Sequence, residues 1–155
     1  MIDSFSGEFR FLSNFYEAPL LFDGRKYRNS EGAYQAAKFI EDKQLDISPW
    51  QFEELTGAEA KKLARSQHCF IRPDWKEVGL GVMIEVVHAK FTQHPDLRTA
   101  LVATFPHELI EGNTWHDYFY GVCSGKGENW LGRILMAERA YWLEIAKNGY
   151  REGEH

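Results

Sequence analysis

The run Ser30-Glu31-Gly32-Ala33-Tyr34-Gln35-Ala36-Ala37-Lys38-Phe39 constrains the fold of this chain more than any other stretch. In a helix, offsets of three, four and seven place Glu31, Tyr34, Gln35 and Lys38 on one stripe. Gly32, Ala33, Ala36 and Ala37 leave the rest of that helix so small that other elements can approach closely, which predicts an interior helix. A stripe facing a core is normally apolar. A carboxylate, a phenol, a carboxamide and an amine side by side therefore leave two readings. One is a solvated face with a weak surface ion pair; the other is the wall of a site.

The segments around this helix read as a helix-rich α+β domain with few, short strands. Alternation over Gly7 to Leu12 predicts a strand. Leu20-Leu21-Phe22, Asp23-Gly24 and Arg25-Lys26-Tyr27 spell an N-terminal hairpin, because Asp-Gly tolerates the positive φ of a two-residue turn. Asn29 or Ser30 can cap the Glu31 helix, and an acid in its first turn suits the positive end of the helix dipole. Further helices are expected at Ala58 to about Gln67, with Lys61, Lys62 and Arg65 toward solvent, and from Trp75 to Gln93. The latter carries Val78, Met83, Val86, Val87 and Phe91 at helical spacing. Pro95 opens a short helix to about Thr104, Leu109-Ile110 predicts a short strand, and the last helix is expected over Asn129 to Asn148. There Gly149 supplies a stop, ahead of a polar tail at Tyr150 to His155 expected to fray.

With 155 residues the chain suits one domain spanning 1–155, with one sizeable core. Its net charge of −5 argues against a general polyanion-binding surface but leaves room for a local phosphate site. Eleven Phe, seven Tyr and five Trp exceed what packing demands and leave rings to line a pocket for a flat ligand. Cys69 and Cys123 lie far apart, outside any CxxC pair, and read as free thiols in a reducing compartment. With no leader at the N-terminus and no stretch of spanning length, the expectation is a cytoplasmic protein that does not enter a membrane.

A second unusual stretch runs from Glu111 to Gly132. It sets two acids, Glu111 and Asp117, among aromatic residues and ends in Gly125-Lys126-Gly127 ahead of a helix. Backbone N–H groups of such a turn at a helix start can cradle an anion, with Lys126 adding charge, although the spacing is not that of a P-loop. The six His form no HExxH, no Cys–His spacing suits zinc, and no GxSxG elbow is present. Neither a metal, another cofactor nor a nucleophilic triad is expected.

Phe11-Leu12-Ser13-Asn14-Phe15, the Ser30-Glu31…Tyr34-Gln35-Ala36…Lys38-Phe39 helix, Trp75, Lys90-Phe91-x-Gln93, Leu109-Ile110-Glu111, Asp117 and Gly127-x-Asn129-x-Leu131-Gly132-x-x-Leu135-Met136-x-x-Arg139 resemble, in order, the NADAR (YbiA-like) superfamily. The match runs from about Phe9 to Arg139. One departure is Tyr120-Gly121, where the family usually has Trp-Gly.

The resemblance implies a metal-independent N-glycosidase acting between ribose C1 and a nitrogen. Implied substrates are the ribosylamino-pyrimidine phosphates of early riboflavin biosynthesis. The alternative is ADP-ribose on guanine bases, the one case in which nucleic acid is a partner. Cleavage builds positive charge on the ribose, so carboxylates near C1 stabilise the transition state; Glu31 and Asp117 are the candidates. The resemblance implies a Schiff base at Lys38, while the sequence equally allows a charge partner for Glu31. Phe15, Tyr34 and Trp75 are candidates for stacking on the base, and Arg10, Arg28 or Lys126 for the 5′-phosphate. Asn14, Glu111, Gly125 and Asn129 complete the expected substrate contacts. A module that binds nucleotide or ADP-ribose without turnover has no use for an amine beside two acids.

Overall fold

The computed structural model describes residues 1–152, with side chains through Gly149. The chain forms two compact units, Asn14–Gln93 and Met1–Ser13 with the chain from His94 onward.

The unit Asn14–Gln93 begins with an antiparallel hairpin of β1 (Glu17–Phe22) and β2 (Arg25–Asn29), in which Leu20 faces Tyr27 and Phe22 faces Arg25. Asp23 (φ 49°) and Gly24 (φ 77°) both adopt the left-handed conformation such a tight turn needs. The register shifts between Glu17 and Leu20, around Pro19, which has no N–H to give a ladder. An exposed strand edge invites foreign pairing. Here the Gln93 side-chain amide closes it, accepting from Leu21 N–H and donating to Leu21 C=O, both at 2.7 Å.

Asn29 ends β2 and caps α1 (Ser30–Ala36), its Oδ1 accepting from Gly32 N–H at 2.8 Å. All seven residues of α1 are buried, so the small-residue helix is interior as its composition predicts. It stops earlier than expected. Lys38 N–H donates to Gln35 C=O and Phe39 N–H to Ala36 C=O, the tighter spacing of a closing turn. Leu20, Tyr27, Ala33, Ala36, Phe39 and Phe52 form the centre of the core, with Phe39 and Phe52 stacked 5.5 Å apart. A Thr56–Glu59 capping box starts α2 (Gly57–Ser66), and Ala60 and Ala64 face inward. The last helix of this unit, α3 (Trp75–Gln93), buries Met83, Val86, Val87, Lys90 and Phe91.

The second unit corrects the strand expected at Gly7 to Leu12, which is a 3₁₀ helix. Gly7 takes φ 59°, and the adjacent Phe11 and Leu12 are both buried, which an alternating strand does not allow. The extended residue is Ile2, whose N–H donates to Glu108 C=O and whose C=O accepts from Ile110 N–H. The strand expected at Leu109-Ile110 is thus a single parallel bridge from Ile2 to Leu109. A short parallel pair follows, β3 (Gly112–Asn113) with β4 (Val122–Cys123).

Two helices complete this unit, α4 (Pro95–Ala103) and α5 (Trp130–Glu152). Buried Arg139 of α5 donates through Nη1 to Thr104 Oγ1 (3.0 Å) and His107 C=O (2.7 Å), while the Arg98 guanidinium lies 4.3 Å over Trp142. Gly149 does not end α5 as expected. A glycine stops a helix by turning left-handed, and Gly149 is not among the positive-φ residues. Of the tail expected at 150–155, residues 150–152 continue the helix and 153–155 lie outside the described residues.

At the start of α5, a Cβ on Gly132 would strike Leu109 C=O and the Asn129 amide. Gly132→Ala is therefore expected to cost about 1–3 kcal/mol by overpacking, measured by urea unfolding. An unchanged midpoint would refute that close approach. The α+β class, richer in helix than strand, is the class expected from the sequence. No described helix is long and apolar enough to cross a membrane.

Candidate active site

In the unit Asn14–Gln93 the polar stripe of α1 gathers into one cluster. Glu31 is 7% exposed, and its Oε1 accepts from Gln35 Nε2 at 2.8 Å, one helical turn on. Its backbone N–H donates to Asn14 C=O at 3.0 Å, so Asn14 fixes the start of the stripe. The Asn14 side chain is buried and donates to Met83 Sδ. Lys38 lies in the turn closing α1, with Nζ 5.5 Å from the Tyr34 ring centre and 5.8 Å from that of Trp75. Those two rings tilt against each other at 5.2 Å, forming an aromatic notch for the ammonium. Burial pushes the Lys38 amine below its usual pKa, the Glu31 charge opposes this, and Lys61 and Arg65 add to it.

Other residues expected here have different duties. The ring of Phe15 packs on Gly57, where a Cβ would lie 2.7 Å away, yet Phe15 remains 44% exposed. Arg28, expected at a phosphate, is engaged within the hairpin unit. It donates to both Glu17 carboxylate oxygens at 3.2 Å and to Glu54 C=O at 2.9 Å. An incoming phosphate would have to displace Glu17.

Sequence reasoning gave no role to Lys90, which is 1% exposed. Burial lowers its amine to about 7. Its position on the buried stripe of α3 with Met83, Val86 and Val87 is the signal that could have marked it.

In the other unit, Glu111, Asp117 and Asn129 belong to one backbone knot. Asp117 Oδ1 accepts from Phe119 N–H (3.1 Å) and Tyr120 N–H (2.9 Å), while Asn113 pairs through its side chain with Asp117 N–H and C=O. One carboxylate oxygen thus shapes the turn, and Oδ2 has no hydrogen-bond partner among the described residues. Asn129 accepts from Glu111 N–H (2.9 Å) and donates to Leu109 C=O (3.0 Å), which commits its amide to the chain rather than to a ligand. Arg10 is exposed in the 3₁₀ helix Gly7–Leu12.

At the anion cradle expected at Gly125-Lys126-Gly127, part of the amide set is already engaged. Lys126 N–H donates to Cys123 C=O, closing a tight turn over Ser124 and Gly125. The N–H groups of Glu128, Asn129, Trp130 and Leu131 donate to the carbonyls of Tyr118, Gly121, Phe119 and Tyr120. The preceding loop thus takes the first two amides of α5, which a helix start would otherwise offer to an anion. The amides of Gly125 and Gly127 and the exposed Lys126 side chain are not engaged in this way. No group of three or more His, Cys, Asp or Glu among the described residues could hold a metal ion.

A family model for the NADAR domain matches residues 4–141. The chain belongs to the NADAR domain family. It is 34% identical over 137 residues to N-glycosidase YbiA of Escherichia coli (strain K12), covering 88% of this chain and 83% of that protein. It is 35% identical over 128 residues to an N-glycosidase of Nostoc punctiforme, covering 82% and 81%. A riboflavin biosynthesis protein of Vibrio vulnificus (strain YJ016) is 38% identical over 137 residues, which are 88% of this chain and 36% of that protein. The NMR structure of Escherichia coli YbiA is similar with a TM-score of 0.78 and 32% identity, over 95% of this chain and 89% of that one. The departure from the usual NADAR pattern at Tyr120 leaves the knot intact, because Tyr120 enters it through its backbone. Its N–H donates to Asp117 and its C=O accepts from Leu131 N–H.

Proposed function

We propose that this NADAR protein is an N-glycosidase that hydrolyses the C1–N bond of ribosylamino-pyrimidine phosphates, early intermediates of riboflavin biosynthesis. Water adds at C1, the C1–N electron pair leaves with the pyrimidine amine, which takes up a proton, and ribose 5-phosphate is released. The observation that carries this reading is the buried Glu31 carboxylate, held by Gln35, beside an amine that burial drives toward its neutral form. The names of the Escherichia coli, Nostoc and Vibrio relatives support the reaction and the pathway.

Within this reading Glu31 stabilises the positive charge that develops on the ribose, a task for a fixed carboxylate in a site shielded from water. Lys38 acts as a neutral amine: the ribose ring opens to an imine at C1, and Lys38 Nζ adds there. The C1–N electron pair leaves with the pyrimidine amine, which takes up a proton, and water then hydrolyses the Lys38 Schiff base to ribose 5-phosphate. The rings of Tyr34 and Trp75 supply a flat apolar surface for the base.

Two measurements test this. In a side-by-side assay, purified protein is expected to release ribose 5-phosphate from the ribosylamino-pyrimidine phosphate and to leave ADP-ribosylated guanosine intact; the opposite preference would move the substrate to modified guanine. Borohydride added during turnover is expected to reduce the imine and leave a sugar adduct on Lys38, visible by mass spectrometry. Turnover with no adduct would eliminate the Schiff-base step while leaving the glycosidase reading standing.

A further inference from the structure

A cavity of about 500 Å³ opens on the Ala33, Ala36 and Ala37 side of α1 and its closing turn. Around a helix, those positions lie opposite the stripe of Glu31, Gln35 and Lys38, so this cavity is separate from the cluster described above. Its apolar walls include Tyr27, Phe39 and Val82, and its rim carries Asp23, Glu41 and Glu85 together with Arg25 and Arg72.

The sign of the rim is decided by what the two guanidiniums already hold. Arg25 donates to Glu53 (3.0 Å) and Glu41 (3.3 Å), and Arg72 donates to both oxygens of Asp74 (2.6 and 2.9 Å). Five carboxylates therefore accompany two guanidiniums, and the charge around the cavity is net negative with both Arg counted. Tyr27 adds a directed polar group. It is 3% exposed and lines the cavity, and its hydroxyl has no hydrogen-bond partner among the described residues. Burial pushes the phenol up to about 12, so it stands as a neutral hydroxyl across the physiological range.

We propose that this cavity is a second ligand site that takes a small organic cation, an ammonium group on a flat apolar body. The ammonium faces the carboxylates of Asp23, Glu41 and Glu85, and the body lies against Tyr27, Phe39 and Val82. A net negative lining with a buried, unpartnered phenol beside it suits a cation through charge and through a hydroxyl that can accept a hydrogen bond.

The test uses the full chain and three probes that share a phenyl body: phenethylamine, phenylacetate and 2-phenylethanol. Binding is followed by NMR titration of the ¹⁵N-labelled protein. Phenethylamine is expected to shift the amides around Tyr27, Phe39 and Val82 and to saturate in the millimolar range. Phenylacetate and the alcohol are expected to bind at least about tenfold more weakly, as loss or reversal of one charge in a half-enclosed site implies. Tyr27→Phe keeps the ring and removes the hydroxyl, and should weaken phenethylamine about fivefold. Glu85→Gln changes an exposed residue and should weaken it by a similar factor. Equal affinity for phenylacetate would overturn the proposal, as would shifts confined to the Tyr34 and Lys38 region or unchanged affinity in both variants.

Discussion

Replacing Lys38 with Ala is expected to lower turnover of the ribosylamino-pyrimidine phosphate by about 10³-fold or more, the scale on which nucleophilic and preorganised electrostatic groups act. Glu31→Gln should cost about 10²- to 10³-fold. It keeps an oxygen for the Gln35 amide to donate to and removes only the charge. Lys38→Arg separates the two readings of the amine. Arginine retains a positive charge beside Glu31 but does not lose its proton in any accessible range. Activity preserved in Lys38→Arg would make Lys38 a charge partner and sink its role as nucleophile; the expected result is loss as complete as in Lys38→Ala. Because burial lowers the Lys38 pKa, the neutral fraction increases as pH rises. The wild-type rate should therefore climb with pH on a limb that lies below the ordinary lysine range. Urea unfolding of all three variants controls for folding. Midpoints close to wild type are expected for the two Lys38 variants because Lys38 is half-buried just past its helix, and for Glu31→Gln because the shape and the Gln35 contact are kept.

What the sequence made legible was local. The two-residue turn at Asp23-Gly24, the Asn29 cap and the interior character of the alanine-rich helix each depend on residues within a few positions of one another. The cluster of Glu31, Tyr34, Gln35 and Lys38 was legible for the same reason, since one helix and its closing turn carry all four. Illegible features depended on distant partners. Arg28 looks like a phosphate ligand until Glu17 meets it across the hairpin and Glu54 C=O meets it from 26 residues away. Asn129 looks like a ligand-facing amide until Leu109 and Glu111 consume both its ends. Beside the Gly-Lys-Gly turn, four carbonyls from Tyr118 to Gly121 take the amides of Glu128 to Leu131, a pairing the local sequence does not announce. Gly7 to Leu12 misled through its alternation, which a 3₁₀ helix starting from a left-handed glycine can also display.

Lys90 supplies the second large expected effect, on stability rather than turnover. Its amine is at about 7 in the folded protein, against a usual value near 10.5, and the cause is burial of the charged form. Below about pH 7 the folded protein must hold a buried ammonium, and the penalty is present in full. As pH rises from 7 toward 10.5 the unfolded chain binds more protons at this position than the folded one, so stability increases with pH across that window. Each unit of displacement corresponds to 1.36 kcal/mol, so between pH 6 and pH 9 Lys90 alone should contribute a gain of about 3 kcal/mol. The range stops at pH 9 to stay below the titration of Tyr27, whose raised pKa acts in the opposite direction at higher pH. Lys90→Met keeps the length of the side chain and removes the titration. Its urea-unfolding free energy, measured from pH 6 to 9, should rise by about 3 kcal/mol less than that of the wild type. Parallel pH profiles for the two proteins would mean that the Lys90 charge is accommodated at neutral pH, and that burial does not set its protonation. A steeper wild-type profile would place an uncharged amine in the last turn of α3 at mildly alkaline pH, beside the rings of Tyr16 and Phe91.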